Sequence, residues 1–391
     1  MNIINIGTYP PKQCGIATFS MDLRNSLFAA DNAVSIMALS DDSFNYHYPE
    51  EVSFNLQQNL KQDYIKAAAY INGSSQIELV VLQHEYGIFG GIDGEYVLEL
   101  TKLLHKPFVL ITHTVLPRPT KRQKQILNEL CHRAAGIVCM TQRSKQLLVN
   151  LYEAPPELVR VIAHGVPDFP KKSSQDLKRQ YGFQGRRLIS TFGLIGPGKG
   201  LELGIRAVAN VVVDYPDVTY LILGQTHPML QRYEGEKYRQ MLNNLVTELD
   251  LQAHVIFVNK YLTNEELGDY LYMTDIYISP YPNMDQAVSG TLAFAVGCGR
   301  AIVSTDYAYA NEVLRGGRGL LAEKPDPKNL SALLCQILSN RELSENLQAQ
   351  AYKLGQTWTW GSIGKEYTDF FRQIVQETNH QEEKQLNYAK L

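Results

Sequence analysis

No two cysteines in this chain have the CxxC spacing, and the five present (Cys14, Cys131, Cys139, Cys298 and Cys335) are scattered. That argues against a metal cluster, and an odd, unpatterned count points to a reducing compartment. No histidine sits in a HExxH or comparable ligand spacing, so no metal site is expected. The longest apolar stretches are of strand length, too short to cross a membrane as helices. The opening segment, MNIINIGTYPP, has no basic n-region and too little apolar length for a secretory signal, so a cytoplasmic location is expected. Neither sign of charge is in excess: 37 Lys and Arg against 40 Asp and Glu leave a net charge of -3. Whole-molecule charge therefore carries no footprint of nucleic-acid binding.

What remains is an ordinary globular composition, 45% hydrophobic and 20% charged, over 391 residues. That length suits two domains better than one large core. Short apolar runs alternate with helical patterns. The first series of predicted strands is Asn2–Gly7, Val34–Leu39, Leu79–His84, Phe108–His113, Gly136–Thr141 and Val159–His164. The second is Arg187–Gly193, Thr219–Gly224, His254–Asn259, Ile276–Tyr281 and Ala301–Thr305. Near-continuous apolar strands separated by helices indicate parallel sheets covered on both faces, and two series indicate two doubly wound α/β domains. The linker-like stretch GVPDFPKKSSQDL marks the break. The expected domains are 1–168 and 169–365. A final amphipathic helix and a fraying polar tail are expected over 366–391.

In open parallel sheets, ligands bind beyond the carboxyl ends of the strands. The loop after the first strand, TYPPKQCGIATFS, has two stiffening prolines and places Gly15 just before a helix. A helix N-terminus there suits phosphate or a polar acceptor; a tight turn is the plainer reading. The segment FGLIGPGKGLELGIRAV puts Lys199 at the start of a helix, against the dipole, and a bound diphosphate would remove that conflict. A solvated lysine beside a Gly-Pro turn is the alternative. Ser289, Gly290 and Thr291 fall where a small-residue helix begins, and their N–H groups and hydroxyls can donate to phosphate. Simple capping by Ser289 is the alternative there. His84 and His113 lie at the ends of the third and fourth strands, and two histidines at equivalent strand ends favour function over structure. His164, in AHGVPD, reads as a structural residue of a turn.

These loops, in this order, resemble the retaining GT-B glycosyltransferases of glycosyltransferase family 4 (group 1). The resemblance covers nearly the whole chain. It rests on Gly15, THT at Thr112–Thr114, HGVPD, GPGKG at Gly196–Gly200, TDIYISPY at Thr274–Tyr281 and the last Trp-containing helix. It implies a GT-B architecture, two Rossmann-like domains facing across a cleft. The second binds a nucleotide-sugar donor and the first a carbohydrate or glycolipid acceptor. It also implies hexosyl transfer with retention, independence of metal, no cofactor beyond the nucleotide sugar as co-substrate, and a final helix returning to the first domain. Lys199 becomes the diphosphate lysine and His113 the active-site histidine. Gly15, Gly198, Lys199, Gln225, Gln286, Ser289, Gly290 and Thr291 become donor contacts. His84, Glu85 and Tyr86 become acceptor contacts.

The chain departs from the family's pattern in the donor loop. Two glutamates with seven residues between them are usual; here those positions are Gln286 and Phe294. The usual arginine before the phosphate lysine is replaced by Leu194. The Gln286 amide can still bond sugar hydroxyls, and Ser289, Gly290 and Thr291 can supply neutral phosphate donors. The reading is an active branch with a rewritten donor grip. The alternatives are a catalytically silent sugar-nucleotide-binding or scaffold protein and a GT-B phosphorylase or epimerase, although no pyridoxal or extra phosphate motif is seen. The basic cluster Arg118, Lys121, Arg122 and Lys124 reads either as a solvated helix face or as a surface for an acidic acceptor or anionic lipid at the inner face of the membrane.

Overall fold

A computed structural model of the chain describes residues 1–42 and 44–388. The chain forms two compact units. One is Met1–Gly165 with the C-terminal segment from Trp360, and the other is Val166–Thr359.

The first unit holds a seven-stranded, all-parallel sheet of β1 (Asn2–Gly7), β2 (Ala33–Ser40), β3 (Val52–Gln57), β4 (Leu79–His84), β5 (Phe108–Thr112), β6 (Gly136–Cys139) and β7 (Val159–Val161). Its order is β3-β2-β1-β4-β5-β6-β7. The second unit holds β8 (Arg187–Phe192), β9 (Val218–Leu223), β10 (Val255–Val258), β11 (Ile276–Ser279), β12 (Ala301–Thr305) and β13 (Leu320–Ala322), ordered β10-β9-β8-β11-β12-β13. The winding reverses between β1 and β4 in one sheet and between β8 and β11 in the other. β4, β9, β11 and β12 are buried at every position, because helices cover both faces. β3 and β13, both at sheet edges, are absent from the strands expected from sequence. β3 alternates exposed and half-buried positions over most of its length and reads as polar.

The units divide at Gly165 and Trp360 rather than at 168 and 365. The Trp360 ring lies so close to Gly165 that a Cβ there would come within 2.3 Å of it. Val166, by contrast, bridges to Thr359 and donates its N–H to the Trp358 carbonyl at 2.8 Å. The last helix, Trp360–Tyr388, packs on the helix Gly15–Ala29, and Ile363, Tyr367 and Phe371 on it are buried. Ser26 Oγ donates to the Trp360 carbonyl at 2.5 Å, and Asn32 Nδ2 to Thr368 Oγ1 at 3.1 Å. This helix continues through most of the stretch expected as a polar tail. Its Gln and Glu residues are good helix formers, and Gln373 bonds Glu377 one turn on at 2.9 Å. Residues 389–391 of that expected tail lie outside the described residues.

Candidate active site

In the second unit the switch point lies where β8 and β11 end. The chain leaves β8, makes a 3₁₀ turn at Pro197–Lys199 and enters the helix Leu201–Val211 through Gly200. Gly200 has φ +63°, and a Cβ there would sit 2.1 Å from the Pro280 carbonyl oxygen. Only glycine brings this loop so close to the end of β11. The closeness places Lys199 Nζ 2.7 Å from the Tyr281 hydroxyl. Tyr281 Oη in turn lies 3.1 Å from Thr291 Oγ1 and 3.3 Å from Ser289 Oγ.

Ser289 is the N-cap of the helix Gly290–Gly297, and its hydroxyl accepts from the Leu292 N–H at 3.3 Å. Ser289 thus caps the helix, the alternative reading of this position, and also reaches the tyrosine that the lysine touches. Gly193, at φ +125°, leaves open the space between Lys199 and Thr291: a Cβ there would lie 3.2 Å from both Lys199 Nζ and Thr291 Cγ2. Gly198 is exposed, and a Cβ on it would touch nothing. Gln225 follows β9, and its backbone carbonyl accepts from the Ile195 N–H at 2.8 Å. His227 caps the next helix through Met229 N, and burial and then the Lys199 charge lower its pKa.

The two positions that replace the expected glutamates behave differently. Gln286 is half-buried, and its Nε2 donates to the Val288 carbonyl at 2.9 Å, so its donor half shapes the loop itself. Phe294 is 7% exposed and packs 5.9 Å from Phe192 and 6.2 Å from Phe169. A carboxylate there would lose water to an aromatic core without a partner, which the benzyl side chain avoids.

In the first unit the switch point gathers β1, β4 and β5. The His113 imidazole is half-buried; its Nε2 lies 2.8 Å from Gln83 Oε1, and Gln83 Nε2 donates to Asn5 Oδ1 at 2.9 Å. With the amide in that orientation, His113 carries its proton on Nε2 and presents Nδ1 as an acceptor. Burial, then His164 and His84, push its pKa down to about 3. It is a neutral imidazole at neutral pH. Gln83 was not picked out from the sequence; its only signal is a polar residue inside an otherwise apolar strand.

His84 does not stand at the surface. Pleat alternation turns it away from Gln83 and into the core, 1% exposed, edge-on to Tyr86 at 4.9 Å. Burial lowers its pKa to about 4. A side chain so enclosed, like Tyr86 beside it, offers no surface to an acceptor, so both support the loop rather than touch a ligand. Glu85 is half-buried; it receives the Tyr86 N–H at 2.9 Å and the Thr114 hydroxyl, and burial raises its pKa. Gly15 begins the helix Gly15–Ala29, exposed, and a Cβ on it would meet nothing within 4 Å. Cys14 caps that helix, accepting the Ala17 N–H at 3.4 Å. His164 packs edge-on to Phe19 at 5.2 Å and bonds the Gly165 carbonyl, a structural position. Of the basic cluster, Arg122 pairs with Glu95, and Lys124 lies 3.5 Å from Glu153, so much of its charge is met on the protein. Among the described residues no helix is long and apolar enough to cross a membrane.

A model of Glycosyltransferase Family 4 matches residues 14–168, and one of Glycosyl transferases group 1 matches residues 173–354. The chain belongs to the group 1 glycosyltransferase family. It is 24% identical over 270 residues to a D-inositol 3-phosphate glycosyltransferase of Nocardioides sp., covering 66% of this chain and 57% of that protein. The chain thus matches less than two thirds of the length of that relative. Sucrose-phosphate synthase from Thermosynechococcus elongatus superposes with a TM-score of 0.79 at 16% identity, over 96% of this chain and 100% of that one. HepE of Anabaena, solved with UDP-glucose, superposes with a TM-score of 0.75 at 17% identity, over 95% and 99%. Those two likenesses are of fold.

Proposed function

We propose that the chain is a retaining glycosyltransferase. It binds a nucleoside-diphosphate hexose in its second unit and passes the hexose to a hydroxyl of a carbohydrate or glycolipid held by the first. The observation that carries this reading is the meeting of Lys199, Tyr281, Ser289 and Thr291 at the N-terminus of the helix Gly290–Gly297, on the switch point of the second sheet. A cation, hydroxyls and a helix N-terminus form an anion site of protein atoms alone.

In the transfer, the bond from the anomeric carbon to the diphosphate oxygen breaks. The acceptor oxygen bonds to the same face of that carbon, and its proton goes to the departing phosphate oxygen. Charge grows on the diphosphate, where Lys199 and the helix N–H groups stabilise it without a metal ion. The neutral His113, with Nδ1 as an acceptor, orients a hydroxyl of the substrate. Five free thiols support a place in the reducing cytoplasm.

UDP is the first base to test, because HepE was solved with UDP-glucose. Titration calorimetry with UDP, GDP and ADP, followed by transfer assays in EDTA with NMR of the product anomer, tests the reading. No binding of any of the three overturns it, an inverted product removes retention, and a strict metal requirement removes the protein-only stabilisation. The buried Phe294 favours a second reading, a silent sugar-nucleotide binder. Binding without transfer or hydrolysis of any sugar nucleotide would select it.

A further inference from the structure

Tyr281 is the one member of the donor cluster with no role so far, and its hydroxyl touches each of the others. The Lys199 ammonium lies 2.7 Å from that oxygen but 4.9 Å from the ring centroid, so it sits at an oxygen lone pair and not over the π face. Ser289 Oγ, which receives the capping N–H of Leu292, directs its own proton to Tyr281 at 3.3 Å. The phenolic proton then goes to Thr291 Oγ1 at 3.1 Å. One donor and two acceptors is the full capacity of a phenol, and all three are used.

The ring itself is held from beneath. It is buried and stacks on Tyr307 at 5.0 Å, and the Tyr307 hydroxyl is tied to Ser279 at 2.9 Å.

We propose that Tyr281 is the positioning residue of the diphosphate grip, holding Lys199 against the N-terminus of the helix Gly290–Gly297 where the family's arginine is absent. This rests on the donor-binding reading above. An ammonium has three protons; Tyr281 takes one and leaves two for a ligand, beside the space that Gly193 keeps open. A free lysine on a four-carbon stem would have to be ordered when ligand arrives, and here that ordering is complete beforehand. The electrostatics agree: burial alone would raise the Tyr281 pKa, but the Lys199 charge and the hydrogen bonds shared with Lys199, Ser289 and Thr291 outweigh it and lower it.

The test is a double-mutant cycle by calorimetry, using whichever of UDP, GDP and ADP binds the wild-type protein and the matching phosphate-free nucleoside. Tyr281→Phe keeps the ring and its stacking. It is expected to lose about tenfold in nucleoside-diphosphate affinity, with nucleoside affinity unchanged and only a small fall in melting temperature. Lys199→Met should lose more, and the double variant no more than Lys199→Met alone, because the tyrosine acts through the lysine. Donor KM should rise in Tyr281→Phe without a matching rise in acceptor KM. Wild-type affinity in Tyr281→Phe, or losses that multiply in the double variant, overturns the inference while leaving the donor site standing. Equal losses for diphosphate and nucleoside also overturn it, since they mark a general distortion. A wild-type protein that binds no nucleoside diphosphate removes the functional reading and this inference with it. If Tyr281→Phe does not fold, Thr291→Val serves: it removes the acceptor of the phenolic proton, so a smaller loss coupled to Lys199 is expected and an uncoupled one overturns the inference.

Discussion

At the switch point of the first sheet the polar atoms belong to Asn5, Gln83 and His113, a line of neutral groups joined at 2.9 and 2.8 Å. At the switch point of the second they belong to Lys199, Tyr281, Ser289 and Thr291, gathered around a full positive charge. The strand orders of the two sheets correspond as far as they run together. Shared winding therefore sets where a site can form and leaves its chemistry to the loops. Burial works in opposite senses in the two places. In the first it keeps imidazoles uncharged, with His84 and His164 at about 4 and His113 at about 3. In the second it isolates a cation beside hydroxyls, as an anion-binding site requires.

The hardest way to break the comparison is through the backbone of the second unit. Gly200→Ala forces a side chain to φ +63° and against the Pro280 carbonyl. The expected cost is on the order of 4 kcal/mol, from left-handed strain plus steric overlap. Denaturant melts should show it, and hydrogen exchange should place the loss in the second unit. A Gly200→Ala variant as stable as the wild type would mean that this turn is not held against β11.

The second test is acid. His84, His113 and His164 have folded pKa values well below the ordinary 6.5, so the unfolded chain binds protons more readily. Their contribution is fully present above about pH 6.5 and is lost as pH falls toward 4. Asp22 works the other way: burial raises its pKa to about 6, so the folded state gains as pH drops from 6 toward 4. Glu85 has the same sign. The three histidines outweigh the carboxyls, so the first unit should lose stability as pH falls from 7 toward 4.5. Hydrogen exchange should show β1, β4 and β5 opening before β8, β11 and β12. The reverse order would contradict neutral burial of the imidazoles.

Lys199→Ala comes third. Loss of one charge-assisted contact to the diphosphate should weaken donor binding by about 2–3 kcal/mol. Stability should be nearly unchanged, because the lysine is half-buried on a loop that its own backbone holds. Unchanged donor affinity by calorimetry would remove Lys199 from the site and leave the two switch points chemically alike.

The predicted strands coincide with β1, β4 and β12 end to end, because each is built on an apolar run and is almost wholly covered in the fold. The edges β3 and β13 lacked that signal, the one half-polar and the other three residues long. Errors at strand ends matter more for the site. β11 was expected to run through Tyr281 but ends at Ser279, so a residue of the site was read as strand. β5 ends at Thr112, which releases His113 to turn toward Gln83. Lys199, Ser289 and Thr291 are singled out in the sequence by position alone, since each lies past a strand or at a helix start. Contacts between distant residues, such as Lys199 with Tyr281, leave no trace in spacing. They depend on Gly200 letting two loops touch.

The smallest expected effect concerns Gln286, and it separates loop shape from sugar contact. The Gln286 amide donates to the Val288 carbonyl at 2.9 Å, and its backbone carbonyl receives the Tyr309 N–H at 3.1 Å. Gln286→Glu removes the side-chain donor and sets a carboxylate against a carbonyl oxygen, while the backbone bond stays. The loss of one neutral hydrogen bond at a half-buried position is worth about 1 kcal/mol. That loss should appear as a small drop in melting temperature with or without donor. If Gln286 also grips a sugar hydroxyl, affinity for the nucleotide sugar should change while affinity for the bare nucleoside diphosphate does not, since only the former carries the sugar. Parallel calorimetry with UDP and UDP-glucose reads that difference directly. Equal shifts for both ligands would confine Gln286 to shaping the loop, and the sugar would then be held by residues other than the one that replaces the family's first glutamate.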